Sequence, residues 1–177
     1  MNAVAHPDAR PELYRPGAGA VLASTWRVGT PERQRAAVEA IRTTWESREW
    51  PDLGLLSYSV FVGADGDTLL HYSQWTTEQA YEDFVRTYRD DRNAEIDAAV
   101  PGIERVELHR YAPPYRSAAA DGNGSTGPHV HVSTDGTRVL DFAAWESEQA
   151  HVEWRAESAP PGRVRRYTPA LRLGAGV

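Results

Sequence analysis

The sequence predicts an α+β fold: a β-α-β-β-α-β unit with an antiparallel sheet, followed by a shortened second copy of the same unit. Three observations carry this expectation. Apolar residues alternate at period two in four segments and recur at helical spacing in two, in the order strand, helix, strand, strand, helix, strand. An Asp-Gly pair at 65–66 joins the two middle strands, as a tight hairpin requires. The same Asp-Gly signal returns at 135–136, with a Trp ten residues on in both places, Trp75 and Trp145.

Taken in order, residues 1–18 are polar and interrupted by Pro7, Pro11 and Pro16, and read as a flexible N-terminal arm. The first unit spans 19–115. Residues 20–28 form its first strand. Thr30 and Pro31 supply an N-cap and a proline at the first helical position, and Ala37, Val38, Ile41 and Trp45 line one face of a helix running to about Arg48. Strands follow at 55–63 and 68–75. Thr76 with Gln79 forms a capping box for a second helix, which reaches about Ala98 and buries Tyr81, Phe84, Val85 and Tyr88. Pro101-Gly102 ends it and 103–111 is the fourth strand. This order is ferredoxin-like. Residues 116–127 are a linker by composition, and 128–173 hold the second unit: strands 128–133 and 137–145, a helix 146–158 and a strand 163–168.

Across 65–80 the two copies share Asp65, Gly66, Leu70, Trp75, Glu78, Gln79 and Ala80, seven identities in sixteen positions. Val60 and Val62 match Val130 and Val132. Only the linker stands where the second copy's first strand and helix belong. A unit of this kind leaves one sheet face bare, so the copies pair within the chain, or chains pair as dimers. A homodimer is the expectation.

Composition narrows the function. There are no cysteines, which excludes disulfides and thiol chemistry. Net charge is -6, so no basic field invites nucleic acid. No run of about 20 apolar residues suits a membrane span. The N-terminus lacks a basic start followed by an apolar stretch, which leaves the cytoplasm as the expected compartment. Six Trp and eight Tyr suit either a core or a pocket for a flat ligand.

The run from Asp65 through Tyr72-Ser73-Gln74-Trp75-Thr76-Thr77-Glu78-Gln79-Ala80-Tyr81 resembles the antibiotic biosynthesis monooxygenase superfamily, over 20–112 well and over 128–170 in part. The resemblance implies antiparallel sheets packed face to face as a dimeric α/β barrel, with a pocket between the sheet and helices of one unit. It implies that Trp75 is a pocket tryptophan and Tyr81 a pocket tyrosine. Polyketide monooxygenases of the family often carry Asn four residues before that Trp; here the position holds His71. Its haem-degrading branch needs a histidine on the second helix, where this chain has Tyr81 and Phe84.

Strand alternation places Leu69, His71, Ser73 and Trp75 on one sheet face and Leu70, Tyr72 and Gln74 on the other. His71, Trp75 and Tyr81 are therefore the candidate catalytic group, with Tyr58, Ser73, Phe84, Arg89 and Arg92 as candidate substrate-binding residues. A neutral histidine of pKa near 6.5 suits removal of a proton from a phenolic or anthrone-type aromatic. The resulting anion can react with O2 without metal or flavin to give a quinone, an arginine steadying the enolate. The small aromatic substrate and O2 are the expected partners. Two other readings stay open: a non-catalytic binding or accessory protein, and a cyclase or isomerase using the same pocket. His129 and His131 share a strand face and, with Asp141 or His151, form a weaker candidate for a metal site.

Overall fold

Thr30 opens the first helix because its hydroxyl accepts the Arg33 amide at 3.2 Å while Pro31 takes a position that needs no donor. The computed structural model describes residues 1–116, 129–142 and 165–176. Its elements are β1 (Ala3–Ala5), β2 (Ala20–Arg27), α1 (Pro31–Glu46), β3 (Leu55–Gly63), β4 (Thr68–Trp75), α2 (Glu78–Phe84), a π-helical segment (Val85–Arg89), α3 (Asp90–Ala99), β5 (Glu104–Tyr111), β6 (Tyr115–Arg116), β7 (His129–Val132), β8 (Val139–Phe142) and β9 (Tyr167–Ala175). The α+β architecture is the one the sequence predicts, and β5-β2-β4-β3 is the ferredoxin-like strand order, antiparallel throughout.

The cap of α2 differs from the expectation. Thr77, not Thr76, accepts the Ala80 amide. Thr76 instead donates its amide to the Gly54 carbonyl at 2.8 Å, tying the β3 entry to the end of β4. Gly54 has φ of +86°, and a Cβ there would lie 2.2 Å from the Thr76 hydroxyl, so only glycine fits this crossing.

Two findings revise the domain reading. The arm is not wholly loose: Ala3–Ala5 pairs with β9 at the sheet edge. The last strand is β9, not 163–168, and it does not stay with the second copy. It pairs with β3 of the first, Tyr58 opposite Leu173 and Gly63 opposite Tyr167. Reciprocally, β6 at the end of the first copy pairs with β7 of the second, Tyr115 opposite Val130. Because β7 holds the residues that match β3, each copy sends its C-terminal end, β9 or the two-residue β6, onto the other's sheet. Trp145, His151, the helix expected at 146–158 and most of the linker lie outside the described residues.

The six-stranded sheet, β1-β9-β3-β4-β2-β5, has two covered faces. The helices cover Leu22, Trp26, Leu69 and Trp75; the small sheet β6-β7-β8 covers the other face, where Phe142 meets Phe61 and Tyr72. The arm straps this second face. Gln74 donates its amide to the Glu12 carbonyl at 2.9 Å, and Arg172 donates to the Arg10 carbonyl at 2.9 Å.

Gln34 on α1 fastens the helix to the β3–β4 hairpin. Its buried amide donates to the Gly63 carbonyl at 3.0 Å and the Thr68 carbonyl at 2.9 Å. Gln34→Leu keeps the volume but takes the amide donor from both carbonyls, leaving Gly63 only the Gly66 amide at 3.3 Å, so the urea midpoint should fall by the equivalent of about 1–3 kcal/mol. An unchanged midpoint would mean that water replaces the amide.

Candidate functional site

β4 is paired on both sides, so its helix-facing residues cannot escape the core. His71 is 5% exposed. Its Nδ1 lies 2.6 Å from the Tyr58 hydroxyl, presented by the neighbouring β3. On the β2 side the indole of Trp26 packs against the imidazole at 4.0 Å between centroids. Nε2 is buried and has no hydrogen-bond partner. Burial first, and the Arg105 charge second, hold the imidazole down to about pKa 3. This corrects the expectation of an ordinary histidine near 6.5: His71 is neutral because the dry cluster rejects a cation. Burial likewise raises the Tyr58 phenol, so this pair is a neutral dyad.

Trp75 forms a second group. It is 2% exposed, and its Nε1 donates to the Ser73 hydroxyl at 2.8 Å. Tyr81, half-buried one turn into the second helix, meets the indole edge-on at 5.4 Å, and Phe84 packs beside it at 5.3 Å. His71 was expected to converge with Trp75 and Tyr81. Its ring neighbours are instead Trp26 and Tyr58. Trp45 from α1 bridges the two groups, 4.9 Å from Tyr58 and 5.9 Å from Phe84.

The two arginines separate. Arg92 is 3% exposed and lies 4.7 Å above the Trp45 ring and 5.3 Å from that of Tyr88. Nη2 donates to the Glu49 carbonyl at 3.0 Å, while Nε and Nη1 are buried without partners. Burial pulls its pKa down. Arg89 lies in the π-helical segment, partly exposed and paired with Asp90 at 3.0 Å. Its charge acts on the Tyr81 phenol, whose pKa burial raises. The π turn widens the helix between Phe84 and Arg92, the two helical residues that cover the cluster.

Ser73 and Tyr58, expected to touch substrate, have their hydroxyls engaged in holding Trp75 and His71. Trp26, Trp45 and Arg105 were not among the candidates. Alternation could have found Trp26, because Leu22, Ser24 and Trp26 share the helix-facing side and Ser24 stands opposite His71.

On the other sheet face, His131 Nδ1 lies 2.7 Å from the Ala112 carbonyl, which only accepts, so that nitrogen carries the hydrogen. Nε2 therefore accepts from the Tyr72 hydroxyl at 3.0 Å. His129 Nδ1 is 2.9 Å from the Tyr14 hydroxyl. Both histidines are thus engaged in binding the two sheets and the arm together. No cluster of three or more His, Asp or Glu side chains arranged to hold a cation exists among the described residues. No helix among them is long and apolar enough to cross a membrane.

Two cavities are formed elsewhere. One of about 220 Å³ lies under the strap, between Tyr14, Tyr111 and Pro113. A groove of about 480 Å³ runs along α1 and α3 past Ala40, Thr43 and Ala99. The space around His71 is occupied by side chains.

No family model matches the chain, and no curated protein matches it. Among solved structures, a monooxygenase from the gene ActVA-Orf6 of Streptomyces coelicolor, in complex with nanaomycin D, is 28% identical. It covers 60% of this chain and 96% of its own, with a TM-score of 0.47. A putative monooxygenase from Lactobacillus acidophilus NCFM is 8% identical over 88% of this chain and 96% of its own, with a TM-score of 0.48. An anthrone oxidase-like protein is 14% identical over 99% of this chain and 94% of its own, with a TM-score of 0.55. The last likeness extends over both copies and shows that this chain shares its fold.

Proposed function

We propose that the chain is a monooxygenase that oxidises a phenolic, anthrone-type aromatic with O2, using neither metal nor flavin, to a quinone. One observation carries the reading. On the helix-facing side of the sheet, Trp26 and Tyr58 hold a neutral histidine with a free Nε2, and Trp45, Phe84 and Tyr88 hold a buried guanidinium with two free nitrogens. Buried polar atoms without partners are rare, and a flat ring bearing oxygens offers them both partners and aromatic contact. The fold shared with an anthrone oxidase-like protein supplies the first substrate class to try.

With Nδ1–H donating to the Tyr58 oxygen, Nε2 accepts a proton from the ring methylene. In so dry a site the imidazolium forms only as an ion pair with the carbanion, and a guanidinium, Arg92, is the group to steady its enolate oxygen. The carbanion carbon then adds to O2, which takes the electron pair and becomes a peroxide. The imidazolium returns its proton to the peroxide, and loss of water leaves a carbonyl. The balance is one CH2 and one O2 to one C=O and one H2O.

The test is O2 uptake with 1,8-dihydroxyanthrone, with chelator present and flavin absent. His71→Gln is expected to lower kcat by about 10²–10⁴, the usual range for a positioned base. A strict metal requirement, or a His71→Gln variant as fast as the parent, would overturn the reading. Turnover without O2 would favour a cyclase or isomerase. The exposure of His71 and Trp75, 5% and 2%, favours a second reading, a non-catalytic binding or accessory protein, in which these side chains are simply core. The homodimer belongs to the proposal as well, and sedimentation equilibrium checks it.

A further inference from the structure

His71 turns Nδ1 to Tyr58 on the β3 side, and on the β2 side two side chains stand between the imidazole and the edge of the sheet. The first is Trp26, 7% exposed, whose indole covers the imidazole at 4.0 Å and 42°. The second is Arg105, whose guanidinium lies 4.5 Å over the Trp26 ring. Arg105 is held in turn by Asp97 of α3, through Nη1 to Oδ2 at 3.2 Å and Nη2 to Oδ1 at 3.0 Å. The order from solvent inward is therefore Asp97 and Arg105, then Trp26, then His71.

This layer sits where the sheet is least constrained. β5 is one of the two edge strands, and its side chain at Arg105 is one-third exposed. The β2–β5 ladder shifts register between Thr25 and Trp26: Thr25 pairs with Glu107 and Trp26 with Arg105, so Val106 is left as a bulge. Bulges loosen pairing locally and re-aim the neighbouring side chains. By contrast, the Tyr58 side of His71 is closed by β3, which is paired along both edges.

Resting on the reading of His71 as the working base, we infer that Trp26 and Arg105 are the gate to His71 Nε2, and that a planar aromatic substrate enters from the β2–β5 edge by taking the place of the indole against the imidazole. The slot left by an indole accepts a fused aromatic ring face-on and rejects a bulky saturated one. The guanidinium that stacked on Trp26 can then stack on the incoming ring, so the gate also recognises what it admits.

The test reads solvent access directly. Hydrogen–deuterium exchange at the His71 imidazole C2 is followed by mass spectrometry in the full chain, with His131 as the internal reference. Arg105→Ala removes stack and charge; Arg105→Lys keeps the charge but loses the planar stack. Arg105→Ala is expected to speed His71 exchange about tenfold, as loss of a cation–π contact and its ion pair implies, Arg105→Lys to speed it by a smaller factor because only the planar stack is lost, and both to leave His131 unchanged. Binding of 1,8-dihydroxyanthraquinone, followed by Trp quenching, should slow the exchange again. Unchanged His71 exchange in Arg105→Lys, or equal acceleration at His131, would overturn the gate. The two proposals fail separately. Faster exchange with no O2 uptake in any protein would sink the oxygenase reading and leave the gate. O2 uptake lost in His71→Gln, with exchange and KM untouched in Arg105→Lys, would do the reverse.

Discussion

Trp75→Ala is expected to cost about 3–5 kcal/mol, the range for removing a large buried aromatic. The indole is 2% exposed and lies between Tyr81, Phe84 and the β4 backbone, which pairs with Ala20 on one side and Leu55 on the other. Collapse cannot refill the space, since β4 is fixed from both sides and α2 is capped at Thr77 just beyond it. The substitution also leaves the Ser73 hydroxyl without its indole donor. Trp75→Phe should recover part of the loss by keeping the contacts to Tyr81 and Phe84. Guanidinium unfolding at pH 7 measures both; a loss below about 1 kcal/mol for the alanine variant would mean that the site relaxes into the gap.

Acid should expose His71 as a second large liability. In the unfolded chain the imidazole titrates near 6.5; in the folded one it is held down to about 3. Between these values the unfolded state binds a proton that the native state does not, so stability falls as pH is lowered. It is level above 6.5, declines by up to about 1.4 kcal/mol per pH unit within the window, and levels again below the folded value. His131, also depressed chiefly by burial, acts with the same sign. Urea midpoints at pH 7, 5.5 and 4.5 should fall steeply for the parent and less for His71→Gln. Parallel profiles would show that water reaches the imidazole.

Local pattern was enough for much of this fold, because each part depends on neighbours in sequence. β3 and β4 occupy the residues that alternation marks, and the Asp65-Gly66 turn places Gly66 at φ of +73°. The fate of the last strand was not legible. Alternation put that strand at 163–168, whereas it runs Tyr167–Ala175, and its choice of β3 as partner is made by long-range burial. The π turn left no composition signal at Val85–Arg89 either. At the site, alternation separated His71 from Tyr72 correctly but could not show that Tyr58 reaches His71 diagonally across the ladder. That contact depends on twist and on side-chain length, neither of which is written in spacing.

The crossed pairing of the C-terminal ends, β9 with β3 and β6 with β7, has a kinetic meaning. Were the same exchange made between separate chains, it would be a second-order event that dilution could undo. Joined in one polypeptide, the halves meet at an effective concentration that dilution does not change. This exchange should therefore persist at any protein concentration, and an unfolding midpoint governed by it should not move on dilution.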